Sequence, residues 1–191
     1  MIYPNKTMTA RAPLGIGYLA ANLKRAGHTF RLFDTTFIRC GKWEGHDALP
    51  EKNLHVPNPD LAELGLVEKN VDVFAELARE IELFEPDLIG MSTVDPNHEF
   101  GIELLEFCKK HRPNIPTIVG GALATLVPEE IIEVDCIDML GVGECDDALV
   151  EVCNIIETMN WEDLYSLSNT WVKDKDYGNN KTIHKAIPKL P

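Results

Sequence analysis

A chain of 191 residues is long enough for one domain and a short addition. Its 31 acidic residues against 18 basic ones leave a formal net charge of −13, which excludes a nucleic-acid backbone as partner, because phosphate binding needs clustered Lys and Arg. No apolar run approaches the roughly 20 residues of a membrane span, and the opening Met1-Ile2-Tyr3-Pro4-Asn5 lacks the basic and apolar regions of a secretory signal, so the expected setting is the cytoplasm.

Short apolar strands alternate with amphipathic helices. Ile2-Tyr3 reads as the tail of a strand. Leu14 to Ala26 follows as a helix with an apolar stripe of Leu14, Tyr18, Ala21 and Leu23, stopped by Gly27. Thr29 to Phe33 is rich in β-formers and reads as a strand ending at Asp34. Residues 35–66, with Gly41, Gly45, Pro50, Pro57 and Pro59, form a long irregular connection of the kind that carries function. Val67 to Phe84 is a helix broken by Pro86, and Asp87 to Ser92 a buried strand. Asn97 to His111 is a helix with Phe100, Leu104, Leu105 and Cys108 on one face, capped by Asp95 or Asn97. Pro116 to Val119 is a strand running into Gly120-Gly121, and Pro128 to Val134 a short helix with proline in its first turn. Cys136 to Leu140 is a strand running into Gly141-Val142-Gly143, and Glu144 to Met159 the last long helix, with Glu144 at its start where negative charge suits the helix dipole. Ser168 to Lys173 and Lys181 to Ala186 form a hairpin around Tyr177-Gly178-Asn179-Asn180.

Successive β/α units imply a doubly wound five-stranded parallel sheet of order 2-1-3-4-5, with a small C-terminal hairpin as an extension. The expected division is a ligand-binding α/β domain over residues 1–160, its first strand normally longer than the part seen here, and an extension or linker over 161–191. Ligands of such sheets bind at the carboxyl ends of the strands, beside the switch point between strands one and three. There the sequence places small residues: Gly90-Met91-Ser92-Thr93, Gly120-Gly121-Ala122 and Gly141-Val142-Gly143, with Asn5 after strand one and Ala12-Pro13-Leu14-Gly15 opening the first helix. Small residues at adjacent strand ends leave a groove, and Ser or Thr can donate hydrogen bonds into it.

Other sites are missing from the pattern. The loop after strand one is not GxGxxG, and no GxxxxGK[ST] run occurs. Asp34 reads as a cap or turn residue, not a ribose acid. Strand three ends in Ser92 rather than the Asp of a phospho-receiver. The five cysteines, Cys40, Cys108, Cys136, Cys145 and Cys153, form no CxxC pair and read as buried or half-buried free thiols. Trp43 is expected to pack over the sheet edge, and Trp161 and Trp171 to anchor the C-terminal extension.

Four of these stretches, in this order, resemble the cobalamin (vitamin B12)-binding domain that precedes the catalytic domain of B12-dependent radical-SAM proteins. They are Ala12-Pro13-Leu14-Gly15-Ile16-Gly17-Tyr18-Leu19-Ala20-Ala21-Asn22-Leu23-Lys24-Arg25-Ala26-Gly27-His28, then Pro86 to Ser92, then Ile118 to Thr125 followed by Pro128-Glu129-Glu130, and Gly141-Val142-Gly143-Glu144. The similarity runs from about Pro4 to Glu157. It departs from the family at Leu123, where His is frequent, and at Val142, where Glu is frequent.

The resemblance implies a cobalamin, as methylcobalamin, cradled above the strand ends. The residues implied are Asn5, Pro13, Leu14 and Gly15 before and in the first helix, Ser92, Thr93, Asp95 and Asn97 after strand three, Gly120, Gly121, Ala122 and Thr125 after strand four, and Gly141, Gly143 and Glu144 after strand five. No residue of the chain is implied as catalytic. The cobalt-ligating DxHxxG loop of B12 mutases is absent after strand one, and His98, in Asp95-Pro96-Asn97-His98-Glu99-Phe100-Gly101, is read as part of a helix start and not as a cobalt ligand. The CxxxCxxC motif of a radical-SAM domain is also absent, so SAM and a 4Fe-4S cluster are expected only through a catalytic domain in cis or in trans. Two further readings share the topology: a flavin- or nucleotide-binding domain, and a partner-docking or regulatory module whose groove has decayed, with which Leu123 and Val142 are compatible.

Overall fold

The structure, a computed structural model, describes residues 1–5, 13–38, 65, 69–94, 97–174 and 183–186. Trp43, Cys40, Asp95, the loop before Pro13 and the hairpin turn at 177–180 lie outside them. Strands β1 (Ile2–Tyr3), β2 (Phe33–Asp34), β3 (Ile89–Ser92), β4 (Thr117–Gly120), β5 (Met139–Gly141), β6 (Thr170–Lys173) and β7 (Ile183–Lys185) form one sheet of order β2-β1-β3-β4-β5-β6-β7. The first five pair parallel in the expected order. The C-terminal hairpin does not stand beside this sheet but continues it, with β6 antiparallel to β5 and β7 antiparallel to β6.

Helices α1 (Leu14–Arg25), α2 (Val73–Phe84), α3 (His98–His111), α4 (Ala122–Leu126), α5 (Pro128–Ile132) and α6 (Asp146–Thr158), with a 3-10 helix at Trp161–Ser166, cover the two faces. On one face Leu77, Ile81, Leu104, Leu105, Ile131 and Ile132 pack on Ile2, Met91 and Val119. On the other, Leu23, Leu149, Val152 and Leu164 pack on Ile118, Met139 and Val172. Each sheet face is thereby removed from water, as a parallel sheet requires.

Local chemistry sets the helix ends. Asp72 accepts hydrogen bonds from the amides of Phe74 (2.9 Å) and Ala75 (3.3 Å) and so caps α2. Gly27, at φ +97°, closes α1 with bonds from Gly27 N to Lys24 O (3.1 Å) and from His28 N to Leu23 O (3.0 Å). Asp34 accepts from Thr36 N at 2.9 Å, the turn role read from the sequence.

Several expectations change. The second strand is Phe33–Asp34 and not Thr29 to Phe33, and the second helix begins at Val73 and not at Val67. The buried residues of α1 are Ile16 and Leu23, while Leu14 and Tyr18 are 72% and 67% exposed. Helix α6 starts at Asp146, leaving Glu144 in the preceding turn. Asn97 stands at the start of α3 without a side-chain cap bond. Trp171 is buried in β6, but Trp161 is 40% exposed and anchors little.

The four described cysteines are free, Cys108 and Cys136 buried and Cys145 and Cys153 half-buried. Burial pushes the Cys108 thiol up to about 12, and those of Cys136, Cys145 and Cys153 up to about 11. Raised thiol values stabilise the fold below the unfolded value near 9, and that contribution is lost as pH rises through 11 to 12. At pH 8 the thiolate fraction of a group at 11 is about a hundredth of that of a free thiol. Alkylation by iodoacetamide, read peptide by peptide, is therefore expected to run about a hundredfold slower at Cys136, Cys145 and Cys153 in folded than in denatured protein, and about a thousandfold slower at Cys108.

Candidate functional site at the carboxyl ends of the strands

The parallel ladder aligns the ends of β3 and β4 so that Ser92 lies opposite Gly120. The pairing continues one step further, Thr93 N donating to Gly120 O at 3.2 Å. Gly121 then turns the chain at φ +102° and ψ −172°, a conformation open only to glycine. A Cβ there would stand 2.6 Å from Thr93 O, so β3 and β4 meet backbone to backbone at this point. The Ser92 side chain is half-buried and makes no hydrogen bond among the described residues, whereas Thr93 is buried and donates to Val94 O at 3.2 Å. A Cβ on Gly120 would meet nothing nearer than Gly141 O at 3.8 Å, which leaves room above the strand.

Helix α4 was not anticipated, and it brings Thr125 back over the strand ends. The Thr125 hydroxyl donates to Gly121 O (3.1 Å) and accepts from Gly143 N (3.0 Å), tying the turns after β4 and β5 together. Gly141 is buried, and Gly143 takes φ +77°. Gly121, Ala122, Gly143 and Glu144 are exposed along this edge.

Asn5 is buried at the end of β1. Its amide N–H donates to Thr35 Oγ1 (2.9 Å) and its side chain to Thr36 Oγ1 (3.0 Å), so it joins β1 to the turn after β2. Pro13, Leu14 and Gly15 form the start of α1, and no hydrogen bond joins them to the Ser92–Gly143 cluster among the described residues. Gly15 and Gly17 both face open space. Asn97 is buried, and His98 is the first residue of α3.

Leu123 packs against the core, and Val142 is buried within it. At both positions an apolar side chain adds to the packing beneath the site. Sequence reasoning missed Asn169, which is buried, takes φ +62° and exchanges hydrogen bonds with Val142.

The edge is thus an open surface of backbone and small side chains, and Leu14 at the start of α1, Val94 after β3 and Leu126 at the end of α4 are exposed apolar residues in the segments that follow the strands. A half-open recess of about 340 Å³ lies away from this edge, lined by Pro86, Arg112 and Ile115 at the amino ends of β3 and β4. Among the described residues no cluster of His, Cys, Asp and Glu could hold a metal ion, and no helix is long and apolar enough to cross a membrane.

A family model described as "B12 binding domain" matches residues 10–153. Among solved structures the chain is similar to the radical S-adenosylmethionine methyltransferase TsrM from Kitasatospora setae with cobalamin and a [4Fe-4S] cluster bound, at TM-score 0.68 and 15% identity, over 99% of this chain and 28% of that one. It is similar also to the cobalamin-dependent S-adenosylmethionine radical enzyme OxsB with aqua-cobalamin and S-adenosylmethionine bound, at TM-score 0.66 and 14% identity, over 100% of this chain and 22% of that one. The chain thus spans less than a third of the length of these neighbours. No significant match is found among curated protein sequences.

Proposed function

Since this chain belongs to the B12-binding domain family, we propose that it holds cobalamin at the carboxyl ends of β1, β3, β4 and β5, as the corrinoid-binding module of a radical-SAM methyltransferase-type enzyme. The observation that carries the site is the open edge itself. The corrinoid is large and partly apolar, and it needs backbone at close range with few side chains in the way. Gly120 leaves open space where a Cβ would stand, Gly121 can carry no side chain, and the Ser92 hydroxyl is available as a donor. Leu14, Val94 and Leu126, exposed in the segments that follow β1, β3 and β4, would offer apolar surface to the corrinoid.

In this reading Ser92, Gly120 and Gly121 would line the slot for the nucleotide tail, and Ala122, Gly143 and Glu144 would flank it. Asp95, outside the described residues, and Asn97 would complete the β3 side. Asn5, Pro13, Leu14 and Gly15 would border it from β1 and α1. Methylcobalamin, when bound, supplies the cobalt–carbon chemistry of methyl transfer, and the protein contributes orientation and shielding. SAM and the 4Fe-4S cluster would belong to a catalytic domain in cis or in trans, reached through residues 161–191.

Hydroxocobalamin mixed with the purified protein and then desalted tests the reading. Near-stoichiometric corrinoid absorbance is expected, with a rise in thermal stability of about 2.7 kcal/mol at a ligand concentration a hundred times Kd. Ser92→Ala should weaken binding about two- to tenfold, the worth of one neutral hydrogen bond. Folded protein that retains no colour would sink the proposal and leave the docking-module reading in its place.

A further inference from the structure

We propose that Thr125 and Asn169 are positioning residues that clamp the Val142–Gly143 turn from its two sides and so preorganise the corrinoid edge. The inference rests on the cobalamin reading above and adds to it a role for the C-terminal segment that the groove residues alone do not suggest.

The turn after β5 is poorly held by its own sequence. Gly141, Val142 and Gly143 run from a three-residue strand into a helix that begins only at Asp146, and Gly143 adopts φ +77°. A glycine pair offers the chain many conformations, and fixing one of them needs outside contacts. Beside the Cys145 thiol, which donates to Gly143 O at 3.6 Å within the turn, two residues do this, from opposite directions in the sequence. From the β4 side, Thr125 accepts from Gly143 N at 3.0 Å and gives its only hydroxyl proton to Gly121 O at 3.1 Å. From the C-terminal side, Asn169 holds Val142 twice: Val142 N donates to Asn169 O at 2.8 Å, and Asn169 Nδ2 donates to Val142 O at 3.1 Å.

The fit is close. A Cβ on Gly143 would lie 3.3 Å from Asn169 Nδ2. Asn169 itself sits at φ +62°, a conformation that asparagine tolerates better than most residues, and it is 5% exposed. The side chains of Thr125 and Asn169 are thereby committed to backbone. Thr125 acts on a ligand through Gly121 and Gly143, and Asn169 through Val142 beside Gly143; both glycines are exposed on the edge where the corrinoid is proposed to lie. Holding such a surface in its bound form before the ligand arrives raises affinity without any new contact.

Hydroxocobalamin affinity is the test, measured with Thr125→Val, Thr125→Ser and Asn169→Gly beside the unaltered chain. Valine keeps the shape of Thr125 and removes both bonds, serine keeps both bonds, and glycine at 169 keeps the left-handed backbone and removes the side-chain bond. The expected result is about tenfold weaker binding for Thr125→Val and for Asn169→Gly, equivalent to about 1.4 kcal/mol. Thr125→Ser should return to within about twofold of the unaltered chain. The visible circular dichroism of the bound corrinoid should change in Thr125→Val and return in Thr125→Ser, which a general loss of stability would not produce. If the unaltered chain binds and Thr125→Val and Asn169→Gly bind equally well, the clamp is wrong while the cobalamin reading stands. If Thr125→Ser binds no better than Thr125→Val, the clamp is likewise wrong. If the unaltered, folded chain does not bind hydroxocobalamin, the cobalamin reading falls and the clamp with it.

Discussion

Replacing Asp138 by alanine is expected to destabilise the fold by about 3–5 kcal/mol, the typical cost of breaking a buried charge network by removing one partner. Asp138 lies at the amino end of β5, 7% exposed. Its Oδ2 accepts from Thr117 N at 2.8 Å and pairs with the Lys109 ammonium from α3, and its own N–H donates to Thr117 Oγ1 at 3.1 Å. Lys109 also donates to Ile115 O at 2.7 Å, Thr117 Oγ1 to Cys136 O at 2.7 Å, and Lys173 N to Asp138 O at 2.9 Å. One carboxylate therefore joins β4, β5 and α3. Alanine leaves the half-buried Lys109 ammonium with Ile115 O but no counter-charge, and the buried Thr117 amide without its acceptor, and both losses are costly where little water reaches.

A thermal melt of Asp138→Ala should show a fall in Tm on the order of 10 °C for a chain of this size. Asp138→Asn keeps the shape but leaves the Lys109 charge uncompensated, so it should cost more than half as much. Adding Lys109→Met to Asp138→Asn should recover part of the loss, because the orphaned charge goes with the lysine. A Tm for Asp138→Ala within about 2 °C of the unaltered chain would mean that water or another residue replaces the carboxylate, and the network would not be the tie described here.

The order of the five parallel strands was legible because each follows a short apolar run with a glycine or a small polar residue at its end, and each is separated from the next by a helix-length segment. The face that α1 buries was not. The stripe read from its sequence, Leu14, Tyr18, Ala21 and Leu23, joins two faces, because at about 100° per residue Leu23 falls beside Ile16 and opposite Leu14. Only contact with the sheet and α6 decides that Ile16 and Leu23 go inside. The exposure of Leu14 and Tyr18 is thus a property of the tertiary structure.

The candidate site divides in the same way. Ser92, Gly120, Gly121 and Gly143 could be picked out because strand ends and glycines are local signals. Helix α4 was hidden by its length of five residues and its single buried side chain, Ala124. Without α4 there is no reason to connect Thr125 with Gly143. Asn169 was invisible for a stronger reason: its partner is 27 residues away, and its left-handed φ depends on β6 joining the sheet next to β5. A hairpin read as an appendage gave no cause to look there for a part of the site.

Two neighbouring glycines, Gly120 and Gly121, separate what the fold needs from what the ligand needs. Gly121→Val puts a branched side chain at φ +102°, with its Cβ starting 2.6 Å from the Thr93 carbonyl. Neither the backbone conformation nor the close approach can be relieved by rotating a side chain. The expected cost is about 2–4 kcal/mol of stability, with loss of detectable hydroxocobalamin binding. Gly120→Ala meets nothing nearer than Gly141 O at 3.8 Å, and alanine restricts the unfolded chain more than glycine does. Its Tm should therefore equal or slightly exceed that of the unaltered chain. If the corrinoid lies against the end of β4, however, the added methyl group occupies space the ligand uses, and hydroxocobalamin binding should fall severalfold in a protein that is no less stable. Gly120→Ala with unchanged affinity would show that the ligand does not approach β4 there, and the slot would have to lie nearer β1 and α1.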